Sequence, residues 1–410
     1  MHKALSSGDE RGGGAPAGDS IGTAMGLWMR LNSRSRSVLL LAGAASTIVV
    51  IGLLLAVIRP AALPSPTASP NPTVNALPTP TPPATIPLDV TARLNLAPRQ
   101  AAAMSVSPGV VWIATDAIAG GGAGVLVRVD ASTARATRSW AVGGHPVAVA
   151  AGGDFVWVAN GVASRPGTAP EQNTVEQFDI ATGALVHVYP VVDPRGLVAA
   201  RTSALVIAAN PGQQSAISLL AGGRAAAVAT LPGTLNVPLS TLSPEVAVAV
   251  CANLAFVALT SLLTSSSNVT IYALPATGGS VRRVATIAND YEASMACDAN
   301  ALFLIGAAGD GNVSVTRIAT ADGAVANLWE GPYPVAVASL GGRIWIAYSD
   351  DALNQSFLTS LDPVTGRAAP SRSMLPSPPT TGDPNLLIPG DTGLWLVASL
   401  GNQLLHISTR

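Results

Sequence analysis

Charge is scarce in this sequence. Asp, Glu, Lys and Arg together make up 11% of the 410 residues, with 22 basic side chains against 23 acidic ones. A balance this close to neutral, with Lys3 as the single lysine, leaves none of the basic surface that nucleic-acid binding needs. Cysteine appears twice and histidine four times, too few for a disulfide scaffold or a Cys/His metal module. There is no GxSxG, no HExxH, no Gly-rich phosphate loop after a strand and no placeable Ser-His-Asp pattern. The hydrolase, metalloprotease and nucleotide-binding readings that rest on those motifs have no support, and no cofactor is implied.

What the chain does have begins with a polar, Gly/Ser-rich stretch, 1–36, which lacks any apolar period and reads as a disordered tail. Ser37–Ile58 then runs uncharged, and at the helical rise it spans about 33 Å, enough for a bilayer hydrocarbon core. Arg30, Arg34 and Arg36 precede this run, whereas only Arg59 follows closely. The positive-inside rule therefore puts the N-terminus in the cytoplasm and the remainder outside. A cleaved signal peptide is the competing reading. The run exceeds the usual h-region, and no small-x-small site follows it, so a single uncleaved anchor in the cell membrane is expected. Residues 59–87, including PTPTPPATIP, form a Pro/Thr-rich linker with a preference for extended polyproline segments.

From residue 88 to 410 one pattern repeats. Its clearest copy is PVAVAAGGDFVWVAN followed, after a loop, by NTVEQFDIATGALVHV, four short strands with turn residues between them. The centre of the second strand falls at Trp112, Trp157, Val206, Phe256, Phe303, Trp345 and Trp395. The differences between successive marks are 45, 49, 50, 47, 42 and 50 residues, the spacing of propeller blades. Asn173, Asn268, Asn312 and Asn402 open the third strand, and DIATG, LPATG and DPVTG precede the fourth. The expectation is an all-β, seven-bladed β-propeller of four-stranded antiparallel blades. Its last unit supplies only three strands, and the spare segment Leu88–Leu96 is expected to close it as the fourth, outer strand, because an open edge invites aggregation. The tryptophans of the register are expected to pack between blades.

On the PxxVAV, VWVAN and VxxxDxxTG signatures, the units resemble the YVTN-type, lactonase-like bacterial propeller repeats across about residues 86–410. The second and sixth units match best, and the GH…WD pairing of WD40 blades is missing. Such propellers host unrelated functions, so the resemblance implies a fold more than an activity.

Cys251 and Cys297 hold nearly equivalent places at the strand one–two turns of blades four and five. An inter-blade disulfide fits that placement in an oxidising compartment, and two buried thiols too far apart to bond are the alternative. The entries to the first strands carry His145, Asp193, Asp290, Tyr333 and Asp383, with Arg195, Glu245, Tyr291 and Glu292 beside them. In a propeller these positions ring one mouth of the central channel. The same face receives the long connections around 161–172, 232–242, 261–267 and 375–382, and long loops on a rigid scaffold carry binding. Hydrated acids and local turn hydrogen bonds are the plainer account of any one of these residues.

The expectation is an extracytoplasmic, membrane-anchored, non-catalytic binding, sensing or scaffold module. It would take a protein, a wall polymer or a small ligand on its long-loop face, with no bound metal. The rival reading is a propeller lyase or lactonase using His145 with Glu245 or Glu292, or a cation held by His145, Asp193, Asp290 and Asp383. Glu171 and Glu176 are expected to lie too far out to take part.

Overall fold

The computed structural model describes residues 84–117, 123–161, 173–208, 215–231, 246–263, 266–288, 292–307, 313–332, 334–350, 353, 355–375, 387–398 and 402–409. The expected tail, the 37–58 span and most of the linker lie outside them. The described strands form seven sheets. Blade two is representative: His145–Gly152, Phe155–Gly161, Thr174–Asp179 and Leu185–Pro190 form an antiparallel meander. The first strands of consecutive blades touch in sequence order, and the first strand of blade seven touches that of blade one. Seven blades therefore close a ring around the inner strands.

Closure follows the expected route. Val90–Asn95 pairs antiparallel with the C-terminal strand Gln403–Ser408, from Val90 opposite Ile407 to Asn95 opposite Gln403. Blade seven is thus completed by a strand from the other end of the chain, and no long unpaired edge is left at the joint. A further strand was not foreseen. Ala84–Ile86, at the end of the expected linker, adds in parallel to the outer strand of blade six, Ala84 opposite Ser371 and Ile86 opposite Ser373. The Pro/Thr-rich composition hid it, although Ala-Thr-Ile between two prolines is a short extended run that needs only an accepting edge.

Each blade buries two faces against its neighbours. Trp112, Ala114 and Leu126 of blade one meet Val156, Val158 and Phe178 of blade two. Trp157, Ala159, Val175 and Tyr189, from the other face of blade two, meet Leu197, Val206 and Leu220 of blade three. The alternation along a strand sends residues 156 and 158 one way and 157 and 159 the other, so the second strand is apolar on both faces. The fourth strand meets solvent on one side, and the blade-one copy, RATRSWAV, is mostly exposed.

The register marks occupy equivalent sites, and all but one are fully buried. The exception is Trp345, which is half-buried. Aromatic rings pack on its counterparts: Trp140 on Trp112, Tyr189 on Trp157 and His406 on Trp395, with centroids 6.0, 5.7 and 4.5 Å apart. Blade six puts the small Ser360 opposite Trp345, and its outer strand, Ser371–Met374, pairs only as far down as Ser373 with Leu358. Part of the indole is left uncovered.

The DxxTG turns have a physical cause. Asp179 Oδ1 accepts hydrogen bonds from the Thr182 N–H and hydroxyl, both at 2.7 Å, and Asp362 Oδ1 does the same with Thr365 at 2.7 and 2.9 Å. These bonds hold both carboxyls below the usual aspartate range. Gly183 closes the first turn at φ 73°, and a Cβ there would lie 2.1 Å from Trp140 of blade one. Gly366 closes the other at φ 69° and would meet the Leu328 carbonyl of blade five at 2.4 Å. The glycine is where each turn docks on the preceding blade, so the motif serves assembly of the ring.

Cys251 ends the first strand of blade four and Cys297 that of blade five. They are joined in a disulfide with Cα atoms 6.1 Å apart.

Candidate functional site

The strand ends sort into two faces. On one, which we call the upper face, the first strands begin and the second strands end: His145 pairs with Gly161 and Arg99 with Ala117. Connections 162–173, 232–245 and 375–386 leave from and return to this face. The other face carries the short turns, such as those between Gly152 and Phe155 and between Leu340 and Arg343. In the expected long connection at 261–267, residues 261–263 and 266–267 are instead strand. Pairing runs on through Ser261–Asn268 to Leu263–Ser266, because this Ser-, Thr- and Leu-rich stretch carries no Gly or Pro to break it.

The upper ends of the first strands are irregular. In blades one, two, three, five and six the register slips by one residue just after the strand begins, whereas blade four is continuous. Such a bulge re-aims the side chain of the extra residue. In blade three that residue is Arg195, and its guanidinium donates to Asp193 Oδ2 at 2.8 Å. Asp193 sits at φ 44°, a left-handed conformation that Asp tolerates better than most residues. The two expected site residues are brought together as an ion pair, so Asp193 is committed to an arginine.

His145 begins the first strand of blade two. Its Nδ1 lies 2.6 Å from Asp116 Oδ2, at the end of blade one's second strand. Sequence reading passed over Asp116, yet it lies two and four residues beyond Ala114 and Trp112, which face blade two. Further polar residues lie at the same interface between blades one and two. Asn160 and Glu176 share faces with Val158 and Phe178 and so point the same way. Asn160 donates to Thr174 Oγ1 at 3.3 Å, and Glu176 Oε1 accepts the Gly143 N–H at 3.0 Å.

Glu176 lies on the third strand of blade two, farther out than the first strand, and is buried there between the blades. It is 8% exposed, and Asn160 is fully buried. Burial raises the Glu176 pKa, partly offset by the Gly143 N–H and the Asn160 side chain. Glu176 Oε2 and Asn160 Oδ1 are both buried and without a hydrogen-bond partner. The period of two along Thr174–Asp179 was the signal that could have found Glu176, since it places that residue on the face of Phe178.

Of the remaining expected residues, Glu292 begins the first strand of blade five. Glu245, Asp290, Tyr291, Tyr333 and Asp383 lie outside the described residues. Among the described residues no three His, Cys, Asp or Glu side chains come together in a way that holds a metal ion. A hydrogen-bonded imidazole, an ion pair and a buried carboxyl thus lie on adjoining blades.

No family model and no curated protein matches the chain. Among solved structures it is similar to hydrazine synthase of Kuenenia stuttgartiensis, at 16% identity over 77% of this chain and 97% of that one, with a TM-score of 0.54. It is also similar to the Cps50 (Swd1) β-propeller domain of Myceliophteria thermophila, at 11% identity over 79% and 100%, with a TM-score of 0.51. At such identities these likenesses show the propeller fold and carry no chemistry.

Proposed function

We propose that this chain is an extracytoplasmic, single-pass membrane-anchored propeller of YVTN-type repeats that binds a partner through its upper face without catalysis. The observation that carries the reading is the asymmetry of the connections: the three longest segments, 162–173, 232–245 and 375–386, belong to the upper face, and the longest on the lower face is 362–370. A rigid ring that concentrates variable chain on one face is a binding architecture. The polar rim of blades one to three lies on that same face. Membrane attachment and the outside location rest on Ser37–Ile58 and its flanking arginines.

The test places a photocrosslinking residue in the full chain at Asn95 or Pro190 on the upper side and at Val364, 73% exposed, on the lower side. Discrete adducts from the upper positions alone support the reading, and adducts from Val364 alone overturn it. A C-terminal alkaline phosphatase fusion tests the topology: the reading requires it to be active, and an inactive fusion beside a fluorescent cytoplasmic reporter sinks the location.

The hydrogen bond between His145 and Asp116 favours a second reading, a lyase or lactonase with its base at the mouth. Metal analysis of the purified chain with and without chelator separates the two. A stoichiometric divalent ion that is lost in His145→Ala would establish the enzyme reading, and a metal-free protein with an unchanged thermal midpoint would retire it.

A further inference from the structure

Blade six carries a cleft on its lower, outer side, with a volume of about 780 Å³. It exists because the outer strand stops short, and Ala368–Pro370 take its place beside Ser360. Trp345 forms one wall. Its N–H is already given to the Leu340 carbonyl at 3.3 Å, so the ring is held and an apolar face is what it offers.

Two arginines and one acid line that cleft, and Asp362 is held low by its bonds from Thr365 and in part by Arg343. Arg343 is fixed by Ser360, donating from Nε to Oγ at 2.8 Å and from Nη2 to the carbonyl oxygen at 3.3 Å, with Nη1 left over. Arg367 is exposed and makes no ion pair with any described residue. Asp362 is the one acid of the lining, and its Oδ1 is occupied by Val364 and Thr365 within the turn. Thr409 completes the rim, while the Thr365 hydroxyl is taken up by Asp362 and the Arg367 N–H.

We propose that this cleft binds an acidic saccharide, with a pyranose ring against the Trp345 indole and its carboxylate on Arg367 and Arg343. A held indole offers a flat surface to the C–H face of a sugar, and a guanidinium offers paired donors to a carboxylate. The Thr409 hydroxyl on the rim suits a ring hydroxyl better than it suits an aromatic acid. The site lies on the face away from the long connections, so it stands or falls independently of the function proposed for them.

The full-length chain, purified in mild detergent, is titrated with trigalacturonate and with neutral maltotriose by calorimetry. Trigalacturonate binds, and maltotriose binds at least about tenfold more weakly. Trp345→Leu and Arg367→Ala each weaken trigalacturonate by about tenfold or more. Arg367 lies on an exposed turn, so Arg367→Ala keeps the test meaningful if the tryptophan variant loses stability. Absence of trigalacturonate binding at millimolar concentration overturns the proposal. Equal binding of the neutral sugar, or an Arg367→Ala variant of unchanged affinity, overturns it as well.

Discussion

Glu176 Oε1 accepts the N–H of Gly143 at 3.0 Å, so a carboxyl of blade two holds the connection by which the chain leaves blade one. The bond survives protonation of the other oxygen, which lies buried beside Asn160.

Burial raises the Glu176 pKa above its ordinary 4.5. A carboxyl with a higher pKa folded than unfolded makes the folded chain bind more protons between the two values. Its contribution is complete below the unfolded value and is lost as pH rises through the folded one. Denaturant midpoints should therefore decline with pH above about 4.5, and Glu176→Gln should flatten that decline. Asp130, Asp179 and Asp362, held low by their turns, act in the opposite sense, at pH below 3.8. A wild-type and Glu176→Gln pair with parallel pH profiles would refute the assignment.

Gly183→Ala should destabilise the ring by about 2–4 kcal/mol, from the left-handed backbone and the collision with Trp140 together. Trp140→Ala in the same chain should relieve the collision and leave only the backbone part. Equilibrium unfolding of the two single variants and the double variant measures the coupling.

Reduction of the Cys251–Cys297 bond, or replacement of both residues by Ala, should lower stability by about 2–4 kcal/mol for a loop this long. Thermal unfolding with and without reductant reads it, and equal midpoints would argue against a formed bond.

Trp157 is fully buried, so Trp157→Ala should cost about 3–5 kcal/mol. Trp345→Ala should cost clearly less, about 1–2 kcal/mol, because part of its ring already faces water. Calorimetric midpoints in the reverse order would mean that the open cleft on blade six is closed in solution.

The ring was legible in the sequence because its period is long and its signals agree. The marks from Trp112 to Trp395 land on equivalent register positions, and Val90–Asn95 closes the last blade. Local composition misled at two places. Ala84–Ile86 is strand only because blade six offers an edge, and 261–267 is mostly strand although Ser and Thr suggested a loop. The site was less legible, since partners such as Asp116 and His145 are 29 residues apart and meet only through the stacking of blades. Strand parity would have predicted the side on which Glu176 lies. It would not have revealed that Gly143 waits there as a donor.

The parallel strand Ala84–Ile86 also decides how the propeller meets force. Any pull on the chain upstream of Ala84 reaches this strand before it reaches Val90–Asn95. Parallel strands drawn along their axis load their hydrogen bonds together, and unzipping one bond at a time is avoided. Blade six takes the first tension, and the clasp that closes the ring on blade seven is loaded only after that strand has torn away. The chain is thus attached to the outside of one blade and fastened shut at the next, so the joint that takes tension is separate from the one that closes the ring.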